Sequence, residues 1–335
     1  MPSDLYKLTR LEELSIKSNS IKGSLSTSLG SLSNLRVLSL GENELSGYIP
    51  PEIQSCTKLE ALELPGNSID GTIPPGFGLF SNLKVLRLEN NKLKGEFPKD
   101  LADLKLLKRI SMQNNAISGT IPIGLERSTG LEYLLLADNK MVGKLPGLAS
   151  LRGMVELDLS KNRFTGTIPY EYGFFDGGNL KLLSLQDNEM DGSIPSSFGQ
   201  LGGQLTSLLL GKNNLSHKIP SQLGRLTGLI ELDLGHNILP GSIPTTLGNL
   251  SMLTSLDLGT NHLTGVVPSE LGQLDKLMVF RLDHNQLTGR LPSELANLPD
   301  FSSFVSLDFR YNEFTPYLPS GWDKLCFNQF WCECI

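Results

Sequence analysis

Leu83-Lys84-Val85-Leu86-Arg87-Leu88-Glu89-Asn90-Asn91-Lys92-Leu93-Lys94-Gly95-Glu96-Phe97-Pro98 decides how the rest of this 335-residue chain is read. Over Leu86-Arg87-Leu88 apolar residues alternate with a polar one, the period of a short strand with one buried face. Asn91 then turns the chain inward, and Gly95 permits backbone angles that other residues avoid. Pro98 imposes an extended start on the next segment.

The same wording, L-x-x-L-x-L-x-x-N-x-L-x-G-x-I-P, recurs almost end to end. Its Asn falls at Asn19, Asn43, Asn67, Asn91, Asn115, Asn139, Asn162, Asn188, Asn213, Asn237, Asn261, Asn285 and Asn312. The step is 24 residues in most cases, 23 before Asn162, 26 before Asn188, 25 before Asn213 and 27 before Asn312. The extra residues, at Gly177-Gly178, Gly202-Gly203 and around residues 299–302, read as loops on an outer face. A single unit cannot bury its own apolar side, so the units must stack. The expected fold is an α/β repeat solenoid of about thirteen coils, with a parallel β-sheet on the concave face and short 3₁₀ or irregular segments on the convex side. Asn43, Asn67, Asn91, Asn115, Asn139, Asn162, Asn188, Asn213, Asn237, Asn261 and Asn285 read as a structural ladder. Their amides can pair with backbone groups of adjacent turns that burial would otherwise leave unmatched. Leu247-Gly248-Asn249-Leu250 and its equivalents form the short return. His217 stands where other units carry Gly, without breaking the phase.

L-x-G-x-I-P on this step resembles the plant-specific leucine-rich-repeat class, from about Leu5 to Pro319. That class includes the ectodomains of receptor-like kinases and receptor-like proteins, and the polygalacturonase-inhibiting proteins. The resemblance implies a right-handed superhelix outside the cell or at its surface, whose inner face recognises peptides, steroids or other proteins. The chain departs from the family by opening inside a repeat, at Pro2-Ser3-Asp4-Leu5, without a signal peptide or a Trp- and Cys-containing cap. A co-receptor or other subunit is therefore expected over the open first coil, and a cytoplasmic location stays open as well. The inhibitor proteins carry more cysteines and fewer repeats.

Residues 1–319 read as the solenoid and 320–335 as a C-terminal cap. Within that cap, Cys326, Cys332 and Cys334 supply one disulfide of unassigned pairing, in outline like the paired-Cys caps of the family. Trp322, Phe327, Phe330 and Trp331 would cover the last coil. Cys56 reads as a buried free thiol.

A net charge of −6 and a pI near 5.4 argue against nucleic acid as partner, since phosphate binding needs a basic stripe. No run of 18 apolar residues spans a membrane. Catalytic and cofactor motifs (HExxH, GxSxG, a phosphate-binding Gly loop, the kinase set) do not occur, so neither an enzyme, a cofactor nor a metal is expected. The four histidines read as exposed turn residues.

Side chains six, four and two residues before each Asn should face the concave side. There Tyr133, Leu135, Leu182 and Leu209 appear as exposed apolar residues near the acidic pair Glu156 and Asp158, and together they form the candidate ligand site. Arg281 and Arg310 are the candidates for the arginine pair with which family peptide receptors hold a carboxylate. Their columns give them Asp308 and Asp283 as partners, which favours a structural role. Glu63 shares a column with Arg87, and Glu231, Asp233 and Asp257 make an unpaired acidic run. Asn214-Leu215-Ser216 and Asn249-Leu250-Ser251 fit the N-glycosylation pattern. The expected function is a non-catalytic protein- or peptide-recognition module. The alternatives are an inhibitor of a secreted hydrolase, an intracellular scaffold, or an ice- or polysaccharide-binding array. For the last, the column Thr72, Thr120, Thr167, Ser193 and Ser242 is interrupted by Glu96, Lys144, Lys218 and Arg290.

Overall fold

The computed structural model describes residues 2–148, 150–175, 178–299 and 303–315. Cys326, Cys332, Cys334 and the aromatic residues of the expected cap lie outside the described residues, as do Gly177 and the insertion at 300–302. The chain divides into two units, Met1–Phe164 and Thr165–Ile335.

In the first unit seven parallel strands follow one another in sequence order. They are Glu13–Ser15, Val37–Ser39, Ala61–Glu63, Val85–Arg87, Arg109–Ser111, Tyr133–Leu135 and Glu156–Asp158. Six more do so in the second unit: Leu182–Ser184, Ser207–Leu209, Glu231–Asp233, Ser255–Asp257, Val279–Arg281 and Ser306–Asp308. Pairing is strictly in register, Leu62 beside Leu86 and Leu86 beside Ile110. Equivalent residues therefore form continuous columns. Leu83, Leu86, Leu88 and Leu93 are fully buried and Phe97 nearly so, each stacked on its counterparts in the next coil. Burying each such side chain contributes roughly 1.5–3 kcal/mol, which no single coil could collect alone.

The ladder amides tie coil to coil. Asn115 Nδ2 donates to Met112 O and Gln113 O of its own turn, at 3.1 and 3.3 Å, and to Leu88 O of the preceding coil at 3.0 Å. Its Oδ1 accepts the Leu93 N–H, also of the preceding coil, at 2.9 Å. Asn237, Asn261 and Asn285 repeat the arrangement in the second unit. Asn19, the first of the ladder, keeps its side-chain bonds within its own turn and is exposed.

Two regular features go beyond the sequence reading. The residue before each ladder Asn is left-handed even where it is not glycine, as in Asn90, Asn114, Asp138, Lys161, His236 and His284. In addition, the L-x-G half of each unit forms short parallel strands of its own, such as Lys94–Glu96 and Ala116–Gly119, on the flank of the solenoid. The expected return is 3₁₀, as in Thr245–Asn249. Its glycine permits close stacking of successive returns: a Cβ added at Gly199 would stand 2.6 Å from the Gln222 carbonyl oxygen.

His217 holds the positive φ of the glycine it replaces, 67° against 86° at Gly95. That conformation costs an L-residue about 1–2 kcal/mol. His217→Gly should therefore raise stability by up to about 1 kcal/mol in urea unfolding, the added chain freedom offsetting part of the relief. Asn115→Ala, which leaves the Leu93 N–H unpaired and takes one of their donors from three carbonyls, should lower it by about 2–3 kcal/mol. Exposed Lys92→Ala should change it by less than about 0.5 kcal/mol.

Candidate recognition surface

In the first unit the register sets Tyr133 between Arg109 and Glu156, and Leu135 between Ser111 and Asp158. Tyr133 and Leu135 are half-buried, not exposed as the sequence reading had them. Strands packed about 4.8 Å apart shield one another's outward side chains. The guanidinium of Arg109 lies 3.6 Å from the centre of the Tyr133 ring, a cation–π contact. Asp158 is committed to its own turn, its Oδ1 accepting from Ser160 N at 3.1 Å and from Ser160 Oγ at 2.7 Å.

A neighbouring column was not anticipated. Seven residues before each Asn, Arg36 bridges Glu12 and Glu60, Lys84 also binds Glu60, and Lys108 pairs with Glu132 at 2.9 Å. Hydrogen bonds from Lys84 and Arg36 hold the Glu60 carboxyl below its ordinary range. The 24-residue spacing of opposite charges was the signal that could have revealed these pairs.

In the second unit Leu182 and Leu209 are likewise half-buried. Leu209 adjoins Asp233, Asp233 adjoins Asp257, and Asp257 adjoins Arg281. Arg281 and Arg310 do not take the partners expected of them. Arg281 reaches back to Asp257 at 3.4 Å and to Ser306 Oγ at 2.9 Å. Arg310 grips Asp308 of its own strand end, Nη2 to Oδ2 at 2.6 Å, while Asp283 receives His284 Nδ1 at 2.9 Å. A neighbour two residues along one chain holds its distance more rigidly than one a coil away, which is why Arg310 pairs locally. Glu63 does face Arg87 across adjacent strands, at 3.8 Å.

The acidic run is largely a set of turn caps. Asp233 Oδ1 accepts from Gly235 N and Asp257 Oδ1 from Gly259 N, both at 2.9 Å. Burial pushes the Asp233 carboxyl up to about 6, helped by Asp257 and Glu231 and opposed by the Gly235 N–H and His236. Asp257 is raised for the same first reason. Asp257, Arg281, Asp283, Ser306 and Asp308, with His236 and Thr260, line a polar hollow of about 180 Å³. Among the described residues no group of three His, Cys, Asp or Glu could hold a metal ion. No helix among them is long and apolar enough to cross a membrane. Asn214 and Asn249 are both exposed, and Cys56 is a buried free thiol whose pKa burial raises to about 11.

Two family models, both described as leucine-rich repeat, match residues 9–69 and 203–263 in one case and 82–104, 153–175, 179–201 and 276–298 in the other. The chain belongs to the leucine-rich-repeat family. Among solved structures, this leucine-rich-repeat chain is similar to the plant peptide hormone receptor RGFR1 in complex with RGF2, with 35% identity and a TM-score of 0.86. The match covers 93% of this chain and 49% of that one, so the chain spans about half the receptor's length. The Arabidopsis receptor kinase HAESA, in complex with the peptide hormone IDA and the co-receptor SERK1, is 28% identical with a TM-score of 0.75, over 96% of this chain and 61% of that one. A plant ice-binding protein is 26% identical with a TM-score of 0.60, over 85% and 83%. None of the curated proteins matches the chain.

The raised Asp233 carboxyl has a consequence for stability. The unfolded chain releases this proton near pH 4, and the folded chain near 6. Stability contributed at this site is therefore full below about pH 4 and falls as pH rises to about 6. Asp233→Asn should be more stable than the parent at pH 7, and the difference should vanish by pH 4. Urea titrations of both proteins at several pH values check this.

Proposed function

We propose that this chain is a non-catalytic recognition module that binds a peptide or protein segment on the outward face of its parallel strands. The observation that carries this reading is the contrast between columns. Core leucines, ladder asparagines and turn glycines repeat from coil to coil, whereas outward positions change at nearly every step. Tyr133 and Leu135 are succeeded by Glu156 and Asp158, and Leu182 and Ser184 by Ser207 and Leu209. A surface freed from the demands of the fold, and holding half-buried apolar and stacked aromatic groups, suits a ligand that brings both apolar and charged side chains.

Similarity to receptors solved with peptide hormones supports the same ligand class. The presence of a co-receptor in one of those complexes supports a second protein partner here too. An extracellular setting fits the same neighbours. It is checked by expressing the chain behind a secretion signal and looking for glycosidase-sensitive mass at Asn214 and Asn249.

Ligand contacts are assigned to Tyr133, Leu135, Glu156 and Asp158 in the first unit. In the second unit they fall to Leu182 and Leu209, with Arg281 and Arg310 as weaker candidates because both already hold carboxylates. Panning a synthetic peptide library against the parent chain supplies the probe. Leu135→Asp and Leu209→Asp should each weaken the selected peptide at least tenfold, about 1.4 kcal/mol, while Thr120→Asp on the flank should leave it unchanged. Unaltered capture by both strand-face variants would refute the placement. Resemblance to an ice-binding protein keeps one second reading alive. The charges at Glu96, Lys144 and Lys218 break the hydroxyl column that such adsorption needs, so no thermal hysteresis is expected.

A further inference from the structure

Three of the four buried side-chain oxygens without a hydrogen-bond partner among the described residues gather at one place, on the strand face of the fourth and fifth coils. They are Glu89 Oε2, Ser111 Oγ and Gln113 Oε1. Glu89 is 4% exposed and Ser111 1%, so both lie well inside the surface. The backbone brings them together. Leu88 N donates to Ser111 O at 2.8 Å and Asn90 N to Gln113 O at 2.9 Å, which seats Glu89 between the two on the adjoining strand. Arg87 and Ser111 are register partners, and Ser111 is in turn beside Leu135. The cluster is thus continuous with Tyr133 and Leu135 within the first unit.

A carboxylate oxygen and an amide oxygen only accept hydrogen bonds, and a hydroxyl can also accept. With no donor bonded to them, the three buried oxygens are free to accept from a group with several N–H bonds and a positive charge. The local charge agrees. Glu63 and Glu89 face one cation, Arg87, whose Nε donates to Glu89 Oε1 at 2.9 Å and whose Nη1 stands 3.8 Å from Glu63. The other nearby cations are engaged elsewhere, Arg109 on the Tyr133 ring, Lys84 on Glu60 and Lys108 on Glu132. Arg87 is itself 41% exposed and can swing outward.

We propose that this cluster is a receptor site for a primary ammonium group of a bound peptide, with Glu89 as counter-ion, Ser111 and Gln113 as further acceptors, and Arg87 as the resident cation that the ligand displaces. An ammonium carries three donors on one compact charge, one for each unpartnered oxygen, where a planar guanidinium would present a fork. The inference rests on the peptide-binding reading above and names one chemical feature of its ligand. A lysine side chain and a free amino terminus share that chemistry.

Backbone-amide NMR of the intact chain, titrated with small probes, tests the site without any peptide. Nα-acetyl-lysine amide carries only the side-chain ammonium, glycine amide only the terminal one, and choline has the charge without N–H donors. Saturable shifts at Glu89, Ser111 and Gln113 with either of the first two support the proposal, and whichever binds tighter identifies the source. Binding should weaken at least tenfold in Glu89→Gln, which keeps the side chain's shape, and strengthen severalfold in Arg87→Gln, which frees the carboxylate. No saturable shift with either amine, equal shifts with choline, or shifts unchanged in Glu89→Gln would each overturn it. Those outcomes mean that the oxygens hold only water or feel only ionic strength. Failure here, alongside successful capture of a library peptide, leaves the broader recognition reading standing.

Discussion

The primary amide of one asparagine per coil is the interaction on which the rest depends. A stack of short turns leaves carbonyls and N–H groups inside, where water cannot reach them. Asn115 answers three carbonyls and one N–H across two coils, and no other side chain of that size offers two donors and an acceptor together. The residue before it must then be left-handed, and Asn, Asp, Lys and His accept that strain at the rim of the sheet. With successive coils pinned at one spacing, the strands run in register and side chains fall into columns.

Column geometry explains what the sequence made legible and what it hid. The coils, their phase, the buried leucines and the positive-φ glycines follow from a period written thirteen times. Pairing within the columns does not. Arg310 and Asp308 are two residues apart and meet at 2.6 Å, whereas the pairing of Asp283 with Arg310 loses to His284. Arg281 turns to the preceding coil because Asp257 and Ser306 lie within reach of opposite ends of its guanidinium. Half-burial of Tyr133 and Leu209 is also a property of neighbours, invisible in one repeat. The flanking strands at Lys94–Glu96 and Ala116–Gly119 were missed because glycine in a short polar run reads as a turn, not as sheet.

The same geometry separates carboxylates that build the fold from those with chemistry to spare. Asp158, Asp233 and Asp257 each cap the turn two residues on, so the L-D-L wording of these coils is structural. Glu89 caps nothing, is buried, and spends one oxygen on Arg87 while the other has no partner. The rims of the two units differ as well. Glu12, Arg36, Glu60, Lys84, Lys108 and Glu132 cancel one another in the first. In the second, Ile230, Met278 and Val305 stand exposed at the equivalent position. The first unit thereby concentrates polar specificity on its strand face, and the second presents more apolar surface beside its own.

Hydrogen exchange read by mass spectrometry, with and without a peptide captured from a library, tests the central claim most directly. If ligand binding belongs to the outward strand face, added protection falls on segments such as Arg109–Ser111, Tyr133–Leu135 and Ser207–Leu209, while the 3₁₀ returns such as Ile123–Arg127 and Ser221–Arg225 exchange as before. Protection concentrated on the returns or the flanking strands, with the strand face unchanged, would contradict the account.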